Sequence, residues 1–152
     1  MPVHRLLYRS ESALVGSGEP VEREVAEIVR ASRTANEAAG LTGALLLSSG
    51  VFTQALEGPL DAVEASFERI CGDLRHRRVR LLEFAVAEER VFGEWSMARV
   101  TPTRELVRLC PGLGAGDDVG VDAATTAATI QLMRALLLTG AMPAEPPGAR
   151  ST

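Results

Sequence analysis

Gly50-Val51-Phe52-Thr53-Gln54-Ala55-Leu56-Glu57-Gly58 reads as a β-strand with glycine at both ends. Successive strand residues point to opposite faces, so Phe52, Gln54 and Leu56 share one face. Two of the three are hydrophobic anchors, and the carboxamide between them is expected to point inward. A buried amide must pair its oxygen and both N–H groups or cost about 1–3 kcal/mol. Something polar therefore lies under this sheet: a buried side chain, water or a bound ligand.

Working outward, Ser49-Gly50 makes a two-residue hairpin turn to a preceding strand, Leu41 to Ser48. Gly40 stops the helix before it, which runs from Pro20 to about Ala39. Proline suits a first helical turn, and Glu22 and Glu24 suit the positive end of the dipole. Val21, Val25, Ile28, Val29, Ser32 and Asn36 recur every three or four residues and share a face. Val3 to Arg9 is a first strand, and residues 10–20 are a Ser/Gly/Glu-rich loop. Pro59 opens a second helix with the stripe Leu60, Val63, Phe67, Ile70, closed by Gly72. Val79 to Glu88 and Trp95 to Val100 complete the sheet.

The expected fold class is α+β: a ferredoxin-like βαββαββ with a five-stranded, mainly antiparallel sheet and two helices on one face. The split βαβ pattern puts the first and third strands side by side in the centre. Tyr8 and Gln54 can then face one cavity under the helix that carries Asn36. C-terminal helices follow: one or two turns over Thr103 to Leu109, a link Pro111 to Gly116, and a helix from Asp122 to Thr139. The last has Asp122 as N-cap, Gly140 as stop and the stripe Ile130, Met133, Leu136, Leu137. That stripe is expected on the parent domain or a second subunit. The division is 1–100 for the main domain, 101–142 for a helical extension and 143–152 for a disordered, Pro-rich tail.

The 152 residues are 46% hydrophobic and 24% charged, enough for one domain with a real core. A net charge of −4 gives no reason to expect nucleic-acid binding, and Arg75-His76-Arg77-Arg78 alone reads as a solvated turn. Cys71 and Cys110 match neither zinc spacing nor a disulfide framework. No segment reaches the length of a membrane span or signal peptide, so a cytoplasmic location is expected. No NAD-binding glycine fingerprint or paired-cysteine motif points to an enzyme.

Five separated segments, in order, resemble the BLUF family of bacterial flavin-binding blue-light sensors. They are Leu6-Leu7-Tyr8-Arg9-Ser10; Ser32-Arg33-Thr34-Ala35-Asn36 with Gly40-Leu41-Thr42-Gly43; the Gln54 strand ending Leu56-Glu57-Gly58; Asp73-Leu74-Arg75-His76; and Trp95-Ser96-Met97. The chain departs from the family pattern in a longer loop after strand one, in Ala35 and in Val51. The resemblance implies a flavin, by default FAD with FMN or riboflavin as alternatives, held between the two helices. It implies a cofactor-binding set of Tyr8, Ser32, Asn36, Phe52, Gln54, Leu56, Asp73, Arg75 and His76, with Arg75 toward the ribityl-phosphate region. It implies a photoactive switch of Tyr8, Gln54, Trp95 and Met97, with either of the last two nearest the flavin. In the family mechanism light moves an electron and a proton from Tyr8 toward flavin by way of Gln54. Gln54 is left flipped or tautomerised and donating to the C4 carbonyl, which shifts absorption to the red. The expected function is a blue-light photoreceptor, not an enzyme, signalling through strand five and the C-terminal helices. Its expected partners are a separate protein or a homo-oligomer, dimer or larger, with no nucleic acid and no membrane. The alternative is a flavin-free interaction module of the same fold.

Overall fold

The computed structural model describes residues 2–14, 18–48, 50–100 and 123–138. The elements run β1 (Val3–Ser12), α1 (Glu19–Ala39), β2 (Thr42–Ser48), β3 (Val51–Gly58), α2 (Leu60–Cys71), β4 (His76–Ala87), β5 (Ala98–Val100) and α3 (Ala123–Leu138). Ser49 of the hairpin, the 103–109 turns, the 111–116 link, Asp122, Gly140 and the 143–152 tail lie outside the described residues.

The sheet order is β4-β1-β3-β2-β5, with β1 and β3 in the centre as the split βαβ pattern requires. The β1–β4, β1–β3 and β2–β3 pairs are antiparallel, while β2–β5 is parallel. Gly40 ends α1 in the left-handed region (φ 74°), and its N–H returns to the Asn36 carbonyl. Gly43 has a different reason. A Cβ there would lie 2.1 Å from the Ala55 carbonyl oxygen, so only glycine lets β2 approach β3 this closely.

The pleat divides the core in two. On one face Leu6, Tyr8, Leu45, Phe52, Leu56 and Met97 pack with Val25, Ile28 and Val29 of α1 and Val63 of α2. On the other, Leu7, Ala44, Leu46, Ala55, Phe92, Trp95, Ala98 and Val100 pack with Ile130, Met133 and Leu137 of α3. The C-terminal stripe therefore covers its own domain, on the face opposite α1 and α2. Each fully buried Leu or Phe in these layers contributes about 1.5–3 kcal/mol.

Three expected boundaries are corrected. β4 begins at His76, not Val79: His76 is buried and pairs with Ser12, so the run Arg75 to Arg78 is not a solvated turn but the entry to a strand. β1 does not end at Arg9: Ser10 and Glu11 pair with Phe52 and Val51, and Ser12 N donates to Gly50 O at 2.8 Å. The polar composition of residues 10–12 concealed a ladder that β3 was long enough to continue. The fifth strand begins at Ala98, not Trp95. Trp95 N turns back to Phe92 O at 3.0 Å, and the Ser96 and Met97 carbonyls go to side chains of α1. Those groups are taken from any regular ladder.

Candidate functional site

Tyr8 and Gln54 are direct cross-strand partners at the centre of the sheet. Paired residues on neighbouring strands project to the same face, so the ladder itself brings phenol and carboxamide together. Tyr8 is 0% exposed and Gln54 4%. The Tyr8 hydroxyl donates to Gln54 Oε1. Burial, with Asp73 and Cys71 nearby, pushes the phenol pKa well above its ordinary value of 10.0. Tyr8 is therefore held protonated, as a donor. Gln54 Nε2 lies 3.7 Å from Met97 Sδ.

Asn36 stands in the last turn of α1, buried, with Nδ2 donating to Ser96 O at 2.7 Å. Ser32 lies one turn earlier on the same face, half-buried. Phe52 and Leu56 flank Gln54 in the core, as the alternation predicts. His76 joins the set from β4. Its Nδ1 and the Ser10 hydroxyl share a 2.7 Å hydrogen bond, and its ring lies 4.6 Å from that of Phe52 and 6.0 Å from that of Tyr8. Burial lowers the His76 pKa below 6.5, against the pull of Asp73 and with the push of Arg75. Arg75 and Asp73 chelate each other through bonds of 3.0 and 2.8 Å, which lowers the Asp73 pKa.

Trp95 stands apart. It packs under α3 with Met133 and Ala98, on the face away from Gln54. Of the pair left open by the sequence, Met97 meets Gln54. Two residues spaced by one would share a face in a regular strand. Here they do not, because the chain becomes a strand only at Ala98.

Two polar residues escaped the sequence reading. Arg33 donates twice to the Met97 carbonyl, and its spacing of three before Asn36 was the available signal. Glu57, with its side chain 0% exposed, accepts from Arg5 Nε (2.8 Å), Val91 N (2.7 Å) and Phe92 N (2.8 Å). It fastens the segment after β4 to the end of β3. A carboxylate on the opposite strand face from Gln54 was its one sequence sign.

A family model described as BLUF, "Sensors of blue-light using FAD", matches residues 3–98. The chain belongs to the BLUF family. Among solved structures, the BLUF protein BlrB in its dark state superposes with a TM-score of 0.73 at 32% identity, over 88% of this chain and 96% of that one. BlsA in its photo-activated state gives a TM-score of 0.76 at 25% identity, over 87% of this chain and 94% of that one. Photoactivated adenylate cyclase subunit alpha of Euglena gracilis is 36% identical over 109 residues, 71% of this chain but 10% of the cyclase. The blue light- and temperature-regulated antirepressor BluF of Escherichia coli (strain K12) is 35% identical over 92 residues, 60% of this chain and 22% of the antirepressor. The chain thus spans about a tenth of the length of the cyclases it matches, and cyclase activity belongs to those proteins. As a BLUF domain it senses blue light by way of flavin.

The residues present fit a flavin. The contacts of α1 run to β2 and β5 and those of α2 to β1, β3 and β4, so the helices flank the floor that carries Tyr8 and Gln54. The helices cover that floor with apolar side chains: Val25, Ile28 and Val29 from α1, Val63 with Phe67 and Ile70 from α2. The Gln54 amide in this apolar layer is under-used as a donor. Among the described residues the partner of Gln54 Nε2 is a thioether sulfur, a weak acceptor, and a primary amide has two N–H groups. A carbonyl or ring nitrogen is the complement such a group requires.

Proposed function

We propose that this BLUF domain is a photoreceptor switch in which Tyr8, Gln54 and Met97 form the moving hydrogen-bond unit. The supporting observation is the buried Tyr8–Gln54–Met97 chain: protonated phenol, carboxamide, soft sulfur. Bound flavin, read as FAD by family, would supply the absorption of blue light and an electron- and proton-accepting excited state. The protein orients and tunes it. Tyr8 keeps its proton in the dark and is the group positioned to give it up. Gln54 carries an acceptor at one end and donors at the other, so turning its amide exchanges the two ends. The thioether holds Nε2 weakly, and leaving it costs little. Two amide arrangements of similar energy make a bistable element.

Asn36 and Ser32 on α1, Phe52 and Leu56 on β3, and Asp73, Arg75 and His76 beyond α2 are read as the rest of the cofactor site. Arg75, chelated by Asp73, presents an oriented guanidinium suited to a ribityl-phosphate end. Trp95 is read as acting on the α3 side, not at the chromophore. The output would pass from Met97 through Ala98 and Val100 to α3, and from there to a partner protein or a second copy of the chain. The domain is read as a sensor without catalysis of its own, in the cytoplasm. No helix among the described residues is long and apolar enough to cross a membrane.

The test is the light-minus-dark absorption spectrum of the purified, yellow protein, repeated for Tyr8→Phe and Gln54→Leu. A small reversible red shift in the wild type, absent from both variants, is the expected outcome. A shift that persists in Gln54→Leu removes the amide from the mechanism.

A further inference from the structure

Met97 reaches Gln54 because α1 holds its backbone. Arg33 Nε and Nη2 donate to the Met97 carbonyl at 3.1 and 3.0 Å. One turn later Asn36 Nδ2 donates to the Ser96 carbonyl at 2.7 Å, and Glu37 accepts from the Ser96 hydroxyl at 3.5 Å. At the other end of the helix Glu22 takes the Arg99 guanidinium at 2.6 and 3.1 Å. One flank of α1 thus grips Ser96, Met97 and Arg99. The Met97 side chain lies on the face covered by α1 and α2, and the neighbouring Ala98 on the α3 face. These few residues touch both sides of the sheet.

Arg33 is the informative member of this grip. Asn36 has a reading at the cofactor, and Glu22 is itself exposed. Arg33 makes no hydrogen bond to Tyr8 or Gln54; its planar fork converges on a single main-chain oxygen. A carbonyl that accepts two charge-assisted bonds is held in direction as well as distance. We propose that Arg33 is a positioning residue: its fork on the Met97 carbonyl fixes the register of residues 96–100, so that the thioether meets Gln54 and Ala98 and Val100 meet α3. The purpose of this device rests on the light-sensing reading, but its geometry does not. Without the fork, the segment keeps the Asn36 bond and the β2–β5 pairing, so the chain still folds while this joint opens more often.

The test is amide hydrogen exchange on the full, flavin-loaded chain in the dark, for wild type, Arg33→Met and Arg33→Lys. Methionine keeps a long stem without donors, and lysine keeps the charge with a single donor centre. In Arg33→Met the amides of Ala98 to Val100, and of Gly43, which bonds Trp95 O at 3.0 Å, exchange about tenfold faster. Those of Leu6 to Tyr8 and Phe52 to Leu56 keep their wild-type rates, and lysine restores part of the protection. Unchanged exchange at residues 43 and 98–100, acceleration spread evenly over β1 and β3, or no restoration by lysine overturns the proposal. A wild type with no blue-light spectral shift would fail the light-sensing reading alone, because the dark exchange pattern still decides the role of Arg33.

Discussion

The Tyr8–Gln54 pair makes a quantitative demand on stability as well as on photochemistry. Both groups are buried, at 0% and 4% exposure. In Gln54→Leu the Tyr8 hydroxyl loses its acceptor where water cannot replace it, which costs about 1–3 kcal/mol. In Tyr8→Phe the Gln54 oxygen is stranded at a similar cost. In the double variant neither polar group is left, and replacing both partners by apolar groups of like shape is nearly neutral. The cycle should therefore be strongly non-additive, with the double variant less damaged than the sum of the singles by about 2 kcal/mol. Urea unfolding in the dark measures it, with free flavin held at one concentration because ligand binding adds its own stability. Additivity within about 0.5 kcal/mol would refute the reasoning, since uncoupled sites behave that way.

Other consequences follow from single residues. Gly43→Ala places a methyl against the Ala55 carbonyl and should lower stability by about 1–3 kcal/mol or more, read as a fall in Tm. Glu57→Ala takes the acceptor from the amides of Val91 and Phe92 and leaves Arg5 with the Glu89 carbonyl; a loss of about 1–3 kcal/mol is expected, with faster exchange at those two amides. His76 has a native pKa below the ordinary 6.5, so the unfolded chain binds the proton first. Its contribution is complete above about pH 6.5 and is lost as pH falls through the native value. Urea midpoints should decline as pH falls below about 6.5. His76→Phe should flatten that decline, whereas the Asp73 contribution begins to fail only below about pH 4.

Much of this was legible before the fold was known. The period-two alternation of Phe52, Gln54 and Leu56 placed the amide inside, and the βαββα order placed β1 beside β3; the register then made Tyr8 its direct partner. Stripes of period 3.6 found α1, α2 and α3 with small boundary errors. What could not be read was where side chains take backbone groups from the ladder. Nothing local in Trp95-Ser96-Met97 announces that Arg33 and Asn36, some sixty residues earlier, will claim two of its carbonyls. Alternation put Trp95 and Met97 on one face, and long-range hydrogen bonds put them on two. Glu57 escaped for the same reason: its four partners come from β1, β2 and the segment after β4.

That broken alternation carries the argument about output. A change at Gln54 could reach α3 only by shifting the whole sheet, were the Met97 segment a regular strand. The central ladders join β4, β1, β3 and β2 over many residues and resist such a shift. The joint is weaker. It holds by Arg33, Asn36, the more exposed contacts of Glu22 and Glu37, one Gly43 bond and the three residues of β5. Local openings select the least protected unit, so a bias of about 1.4 kcal/mol, a factor of ten in population, acts there first. Blue light should therefore change exchange in residues 98–100 and in α3 by several-fold while β1 and β3 keep their dark rates. Equal change across the sheet, or none in α3, would mean that the signal leaves the cleft by another route, with α1 as the next element to examine because it grips the same segment from the cleft side.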